Sequence, residues 1–247
     1  MQNSLLFLSK NSVPFLEAQV NIHQPTINEI SFIGEEVFHI GCQFLVFSIN
    51  SLPEEDKVHL VNKTDFEVFM SIMSSKEKIE YRDCAKQVLT LLFPDYEITY
   101  SATEILLVGA NGLGRINNLN FNNFKDLVTQ IFKLNEAEGD SKTYDPADGL
   151  AAKIAEKFKN RHKKLAEMRG NKGAEGRMAI LERYVSILAV GEQKDRNSLM
   201  ELTVAQLKDE FKRYMLKVEF DTHMKCMLAG AQNLDKEVED WMKDFYP

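Results

Sequence analysis

The sequence predicts an α+β protein in which helix predominates, with a small N-terminal β-containing part followed by a C-terminal helical bundle. Three observations carry this. Capping boxes, in which a threonine and a Glu or Gln three residues later satisfy each other's backbone N–H groups, stand at Thr26-Ile27-Asn28-Glu29 and Thr203-Val204-Ala205-Gln206. Runs rich in β-branched and aromatic residues are confined to the stretch before Gly109. After the turn-rich segment Gly109 to Asn118, apolar residues recur at helical spacing in one block after another.

In chain order, Leu5 to Leu8 and Ala18 to His23 read as strands, the second alternating polar and apolar and ending at Gln24-Pro25. Thr26 then opens a helix to about Phe47, with Ile30, Ile33, Val37, Ile40 and Phe44 on one face. A helix starting at Thr64-Asp65 carries Phe66, Phe69, Met70 and Met73. A third, from about Asp83, stops at Phe93, because a residue that precedes proline avoids the α region. Two strands follow, Tyr96 to Tyr100 and Glu104 to Val108, expected to pair with each other or with the N-terminal strands.

The segment Gly109 to Asn118 separates this part from a helix capped by Asn122 or Asn123 and running through Phe124, Leu127, Val128, Ile131 and Leu134. Asp145-Pro146-Ala147-Asp148 starts another helix, with proline at its first position and carboxylates in its first turn. A helix from about Ala174 to Val190 and a long one from Thr203 to Ala229 end at Gly191 and Gly230. A short helix from about Asp235 to Phe245 holds Trp241. The domain division expected is a mixed α/β part over 1–116 and a helical part over 117–247, with a linker at 135–144.

A net charge of -7 disfavours nucleic acid and anionic membranes as general partners. Three widely spaced cysteines, Cys42, Cys84 and Cys226, form no disulfide framework and suit a reducing compartment. No apolar run approaches the roughly 18 residues of a spanning helix, and no basic region precedes the apolar patch at Leu5. The expectation is an intracellular protein without a membrane anchor.

Gly109-x-x-Gly112-x-Gly114 follows an apolar strand, as phosphate-binding loops do. No Lys-Ser/Thr ending or helix signal follows, so a tight connection needing positive φ is the better reading. The pairs His39/Cys42 and His223/Cys226 each share a helical face, and together could supply four zinc ligands if their helices met. Buried cysteines beside satisfied histidines are the commoner arrangement, so neither a metal nor another cofactor is assigned. Nucleophile elbows, His-Glu-x-x-His and Asp-x-Asp pairs are missing from the sequence. The carboxylates Glu54-Glu55-Asp56 and Glu237-x-Glu239-Asp240 fall at loop ends or helix starts, where negative charge is favoured anyway. No catalytic residue is expected, and the protein reads as non-enzymatic.

Two patterns point to binding. Between Lys153 and Arg177, nine Lys and Arg stand against three Glu, and Lys153, Lys157, Arg161 and Lys164 line one helical face. This is a patch for an anionic partner or a solvated face. It also supports the alternative of a nucleic-acid-associated regulator, although apart from Phe158 no aromatic residue (Phe, Tyr or Trp) interleaves it for base stacking. Towards the C-terminal side, Phe211, Tyr214, Met224, Met227, Leu228, Trp241, Met242 and Phe245 gather sulfur and aromatic area of the kind that anchors protein–protein contacts.

Leu202-Thr203-Val204-Ala205-Gln206-Leu207, Phe211-x-x-Tyr214-x-Leu216-Lys217, Met227-Leu228-Ala229-Gly230-Ala231 and Trp241-Met242-Lys243 resemble tail- and virion-assembly proteins of phages that infect Gram-positive bacteria. So does the opening segment Ile22 to Ile30 with Gly34-Glu35-Glu36, and the likeness covers about the first 50 and last 70 residues. The resemblance implies a tail-assembly chaperone, or a small tail or baseplate component. Its partners would be tape-measure, tube or baseplate subunits, in the host cytoplasm or the virion tail, and a homo-oligomer is compatible with it. The β-rich stretch near residues 96–108 departs from such chaperones, which are shorter and more purely helical.

Overall fold

The computed structural model describes residues 4–51, 60, 62–75, 79–101, 103–110, 112–134 and 180–228. Outside these lie the linker at 135–144, the helix opened by Asp145-Pro146, the basic face with Lys153, Lys157, Arg161 and Lys164, and the last helix with Trp241, Met242 and Phe245. Both acidic clusters, at 54–56 and 237–240, also lie outside. Among the described residues, nine α-helices accompany five short strands, so the fold is α+β and predominantly helical, as predicted. The chain divides into two compact units, Met1–Asn135 with Asn197–Gln206, and Glu136–Arg196 with Leu207–Pro247.

The first unit opens with a helical turn, α1 (Ser4–Phe7), where a strand was expected. A run of four apolar residues cannot separate strand from helix by periodicity. Local bonds settle it: Leu8 N–H donates to Leu5 O and Ser9 N–H to Leu6 O, both at 3.2 Å. The carbonyls a strand would pair are taken by side chains instead. The buried Gln24 Nε2 lies 2.9 Å from Leu6 O and 2.6 Å from Asn11 O, and Gln206 Nε2 donates to Leu8 O at 2.8 Å.

The hairpin β1 (Val13–Phe15) and β2 (Val20–Ile22) pairs Val13 with Ile22. Pro14 hid β1 from the sequence, because proline is tolerated only at strand edges. The Thr26 capping box forms and opens α2 (Ile27–Ile33). This helix ends at Gly34, whose φ of 88° suits glycine, and α3 (Glu35–Leu45) restarts in a new direction. The single helix expected to Phe47 is therefore two. The break rotates the buried face from Ile33, Val37, Ile40 and Phe44 to Phe38, Gly41, Cys42 and Leu45.

Helix α4 (Asp65–Ser74) starts at a Thr64–Glu67 capping box and buries Phe66, Phe69, Met70 and Met73, as the spacing predicted. Helix α5 (Ile79–Leu92) stops ahead of Pro94. Strands β3 (Tyr96–Tyr100), β4 (Glu104–Gly109) and β5 (Gly112–Asn117) then form an antiparallel meander. The glycine-rich segment is thus the third strand and not a spacer. Gly112 takes the positive φ, at 134°. At Gly114 a Cβ would meet Val20 Cγ1 at 2.2 Å, so the missing side chain lets the hairpin lie against the sheet.

Helix α6 (Phe121–Ile131) is preceded by Asn120, two residues before the nearer of the caps expected, with Asn120 Oδ1 accepting from Asn117 N–H at 2.9 Å. It buries Phe121, Phe124, Leu127, Val128 and Ile131. Phe124 sits 6.0 Å from the rings of both Phe15 and Phe93, and Phe121 sits 5.1 Å from Phe66, so aromatic residues from β1, α4, α6 and the end of α5 converge here. Each such side chain contributes about 1.5–3 kcal/mol on burial.

Lys125 is also buried on this helix. Its ammonium pairs with Asp65, lies 3.5 Å from Phe47 O, and stands over the Phe121 ring. Burial raises the Asp65 carboxyl, but hydrogen bonds from Lys125 and the Ile49 N–H outweigh this and hold it below the usual carboxylate value.

The segment from Asn197 completes the first unit, including most of α8 (Arg196–Met200). Here Thr203 bridges Thr26 in antiparallel fashion and Ile27 N–H donates to Leu202 O at 2.9 Å, so two helix N-caps are stitched together. The second unit contains α7 (Ile180–Gly191) and the greater part of α9 (Val204–Leu228). No helix among the described residues is long and apolar enough to cross a membrane.

Candidate interaction helix

Helix α9 starts firmly. Thr203 Oγ1 accepts from Gln206 N–H at 3.3 Å, the Thr203 N–H donates to Gln206 Oε1 at 2.9 Å, and Val204, Ala205 and Leu207 are buried. This is the second capping box read from the sequence. After Leu207 no described residue of α9 is buried. Met215, Val218 and Met224 are 47%, 39% and 39% exposed and Leu228 is 85% exposed. Apolar residues point to several sides of this stretch, which is why its sequence shows no single oily stripe.

One side of α9 packs within the second unit. Phe211 stacks on Tyr184 of α7 at 4.0 Å between ring centroids, with the planes 17° apart. Tyr214 lies over Gly191, where a Cβ would meet the phenol oxygen at 2.2 Å. Lys194 Nζ bridges Glu192 at 2.8 Å and Glu210 at 2.7 Å. Burial lowers the Lys194 ammonium, and the hydrogen bonds it donates to Glu192 and Glu210 more than offset this and raise it. Beside these contacts runs an open groove of about 590 Å³, lined by residues 191–194 together with Tyr214, Lys217, Val218 and Asp221.

The predicted binding residues thus sort into groups. Phe211 and Tyr214 are half-buried against α7, whereas Met224 and Leu228 are exposed. Met227 lies in α9 near its end, with its side chain outside the description, as are Trp241, Met242 and Phe245 altogether. Met215 and Val218 were not singled out in the sequence. Their signal was present in the weak amphipathicity of a 25-residue helix, which leaves apolar residues on more than one side.

The two His/Cys pairs belong to different units. His39 Nε2 lies 3.2 Å from Glu35 Oε1 and Cys42 is buried, both in the first unit, while His223 belongs to the second. Among the described residues, no three His, Cys, Asp or Glu stand close enough together to hold a metal ion.

Residues 171–246 match the family model of the YomV second domain, a phage-type domain. The match covers less than half of the 247 residues and includes α7, α8 and all of α9. It agrees with the phage character implied by the resemblance, and does not extend to an assembly role. No curated protein and no solved structure matches the chain.

Proposed function

We propose that this chain is a non-enzymatic phage protein that holds other phage structural proteins during tail or virion assembly. Tape-measure, tube or baseplate subunits are the intended partners. One observation carries the reading: the part of α9 beyond Leu207 leaves Met215, Val218, Met224 and Leu228 uncovered within the stretch that matches a phage-type domain. Exposed apolar side chains of flexible shape adapt to a partner surface, and a few such anchors supply most of the affinity of an interface. The work is binding, in the host cytoplasm or in the virion tail.

Co-expression with the tape-measure, tube and baseplate subunits of the same phage, followed by pull-down, tests this. Replacing Met224 and Leu228 together with serine should remove the captured subunit while circular dichroism stays unchanged. Deletion of residues 235–247 should do the same if Trp241, Met242 and Phe245 share the contact. Undiminished capture by both variants would overturn the proposal. The rival regulator, acting through Lys153, Lys157, Arg161 and Lys164, predicts a salt-dependent gel shift that charge reversal abolishes.

A further inference from the structure

Within the first unit, a groove of about 380 Å³ is lined chiefly by Ser12, Asn21, His23, Pro94, Asp95 and Tyr96. Its walls are set by the backbone. Pro94 stops α5, which turns Asp95 and Tyr96 back beside β2, and the His23 N–H donates to Leu92 O at 2.8 Å, tying the end of β2 to the end of α5. The His23 ring is fixed as well, since Nε2 lies 3.0 and 3.1 Å from the two Glu29 carboxylate oxygens. Glu29 is itself held by the Thr26 capping box.

The other polar groups of this groove differ from those around α9. There, Lys194 is already engaged by two carboxylates. Here the Ser12 hydroxyl, the Asn21 amide, the Asp95 carboxylate and the Tyr96 phenol make no side-chain hydrogen bond to another described residue. Four groups with unused hydrogen-bonding capacity therefore face one concavity, next to a fifth whose orientation is locked.

We propose that this groove binds a neutral polyhydroxylated ligand, a saccharide of about one ring. Vicinal hydroxyls both donate and accept, and the set here offers both functions: the amide, hydroxyl and phenol do each, and the carboxylate accepts strongly. Tyr96 and Pro94 provide an apolar wall for the C–H face of a sugar ring. Asp95 opposes phosphates and other anions, which sets the charge of the occupant. The volume lies near the low end of the roughly 300–1,000 Å³ of small-molecule sites. The site is independent of α9 and of the partner proposed for it.

Saturation-transfer difference NMR on the full chain, with glucose, galactose, mannose and N-acetylglucosamine each offered at millimolar concentration, reads the proposal directly. Transfer from at least one sugar is expected, with affinity falling about tenfold or more in Asp95→Ala and in Asn21→Ala. Both side chains are exposed, so the fold should be retained. Asp221→Ala, in the groove beside α9, should leave the transfer unchanged. No transfer from any of the four sugars overturns the proposal, and so does binding that survives both substitutions. Displacement of the sugar by inorganic phosphate would also overturn it, since the groove would then be an anion site.

Discussion

Helices α6 and α9 treat their apolar residues in opposite ways. In α6, Phe121, Phe124, Leu127, Val128 and Ile131 are all buried, whereas in α9 no described residue after Leu207 is. Short helices in water depend on tertiary packing, and α6, with 11 residues, is held by the aromatic cluster it enters. Helix α9 has 25 residues and is anchored by a buried first turn. Its later turns rely more on their own backbone and on pairs such as Asp209–Arg213 at 2.9 Å. The apolar area of α6 supplies stability. That of α9 stays accessible, which is the physical basis for assigning it a partner.

The comparison breaks most readily at Phe124, which is fully buried between Phe15 and Phe93. Phe124→Ala should lower the unfolding free energy of the first unit by about 3–5 kcal/mol in urea titrations. A loss below about 1 kcal/mol would mean that the cluster does not hold α6.

Lys125 comes next. Lys125→Met keeps the aliphatic stem but strands the Asp65 carboxylate, at a cost of about 3 kcal/mol. Adding Asp65→Leu should recover much of it, a non-additivity that a double-mutant cycle measures. The pair also makes stability depend on pH. Because the folded Asp65 carboxyl lies below its ordinary value of 3.8, the unfolded chain binds the proton more readily. The contribution is fully present above that value and is lost as pH falls through the folded one. Chemical denaturation at descending acidic pH should show this loss in the parent and a shallower one in Asp65→Asn.

The sequence made much of this framework readable because local chemistry dictated it. Thr26 and Thr203 announced their helices through reciprocal backbone bonds, Pro94 ended α5, and the spacing of Phe124, Leu127, Val128 and Ile131 matched the buried face of α6. What escaped depended on partners far along the chain. Leu5 to Leu8 became a helical turn whose carbonyls answer Gln24 and Gln206, and β5 needed Val20 lying against Gly114. Lys125 was not singled out, because nothing local reveals that Asp65, sixty positions earlier, would meet it. On α9, the apolar anchors were legible as a composition, but the exposure separating Met215 and Val218 from Phe211 and Tyr214 was not.

A smaller effect sharpens the anchoring of α9. Thr203→Ala removes the hydroxyl that accepts the Gln206 N–H and should cost about 1 kcal/mol, read as a shift in the urea midpoint. An unchanged midpoint would show that the bridge to Thr26 alone holds this turn.

The smallest stability effect should come from the residues given the largest functional role. Met224 and Leu228 are exposed, so replacing both with serine removes little buried area, and the unfolding free energy should change by no more than about 0.5 kcal/mol per site. Measured beside Phe124→Ala, this places the two helices at opposite ends of one scale. A loss of 2 kcal/mol or more for the double variant, read in the same urea titration, would place these side chains in a core. Helix α9 would then be a second α6, and its apolar residues would no longer count in favour of a bound partner.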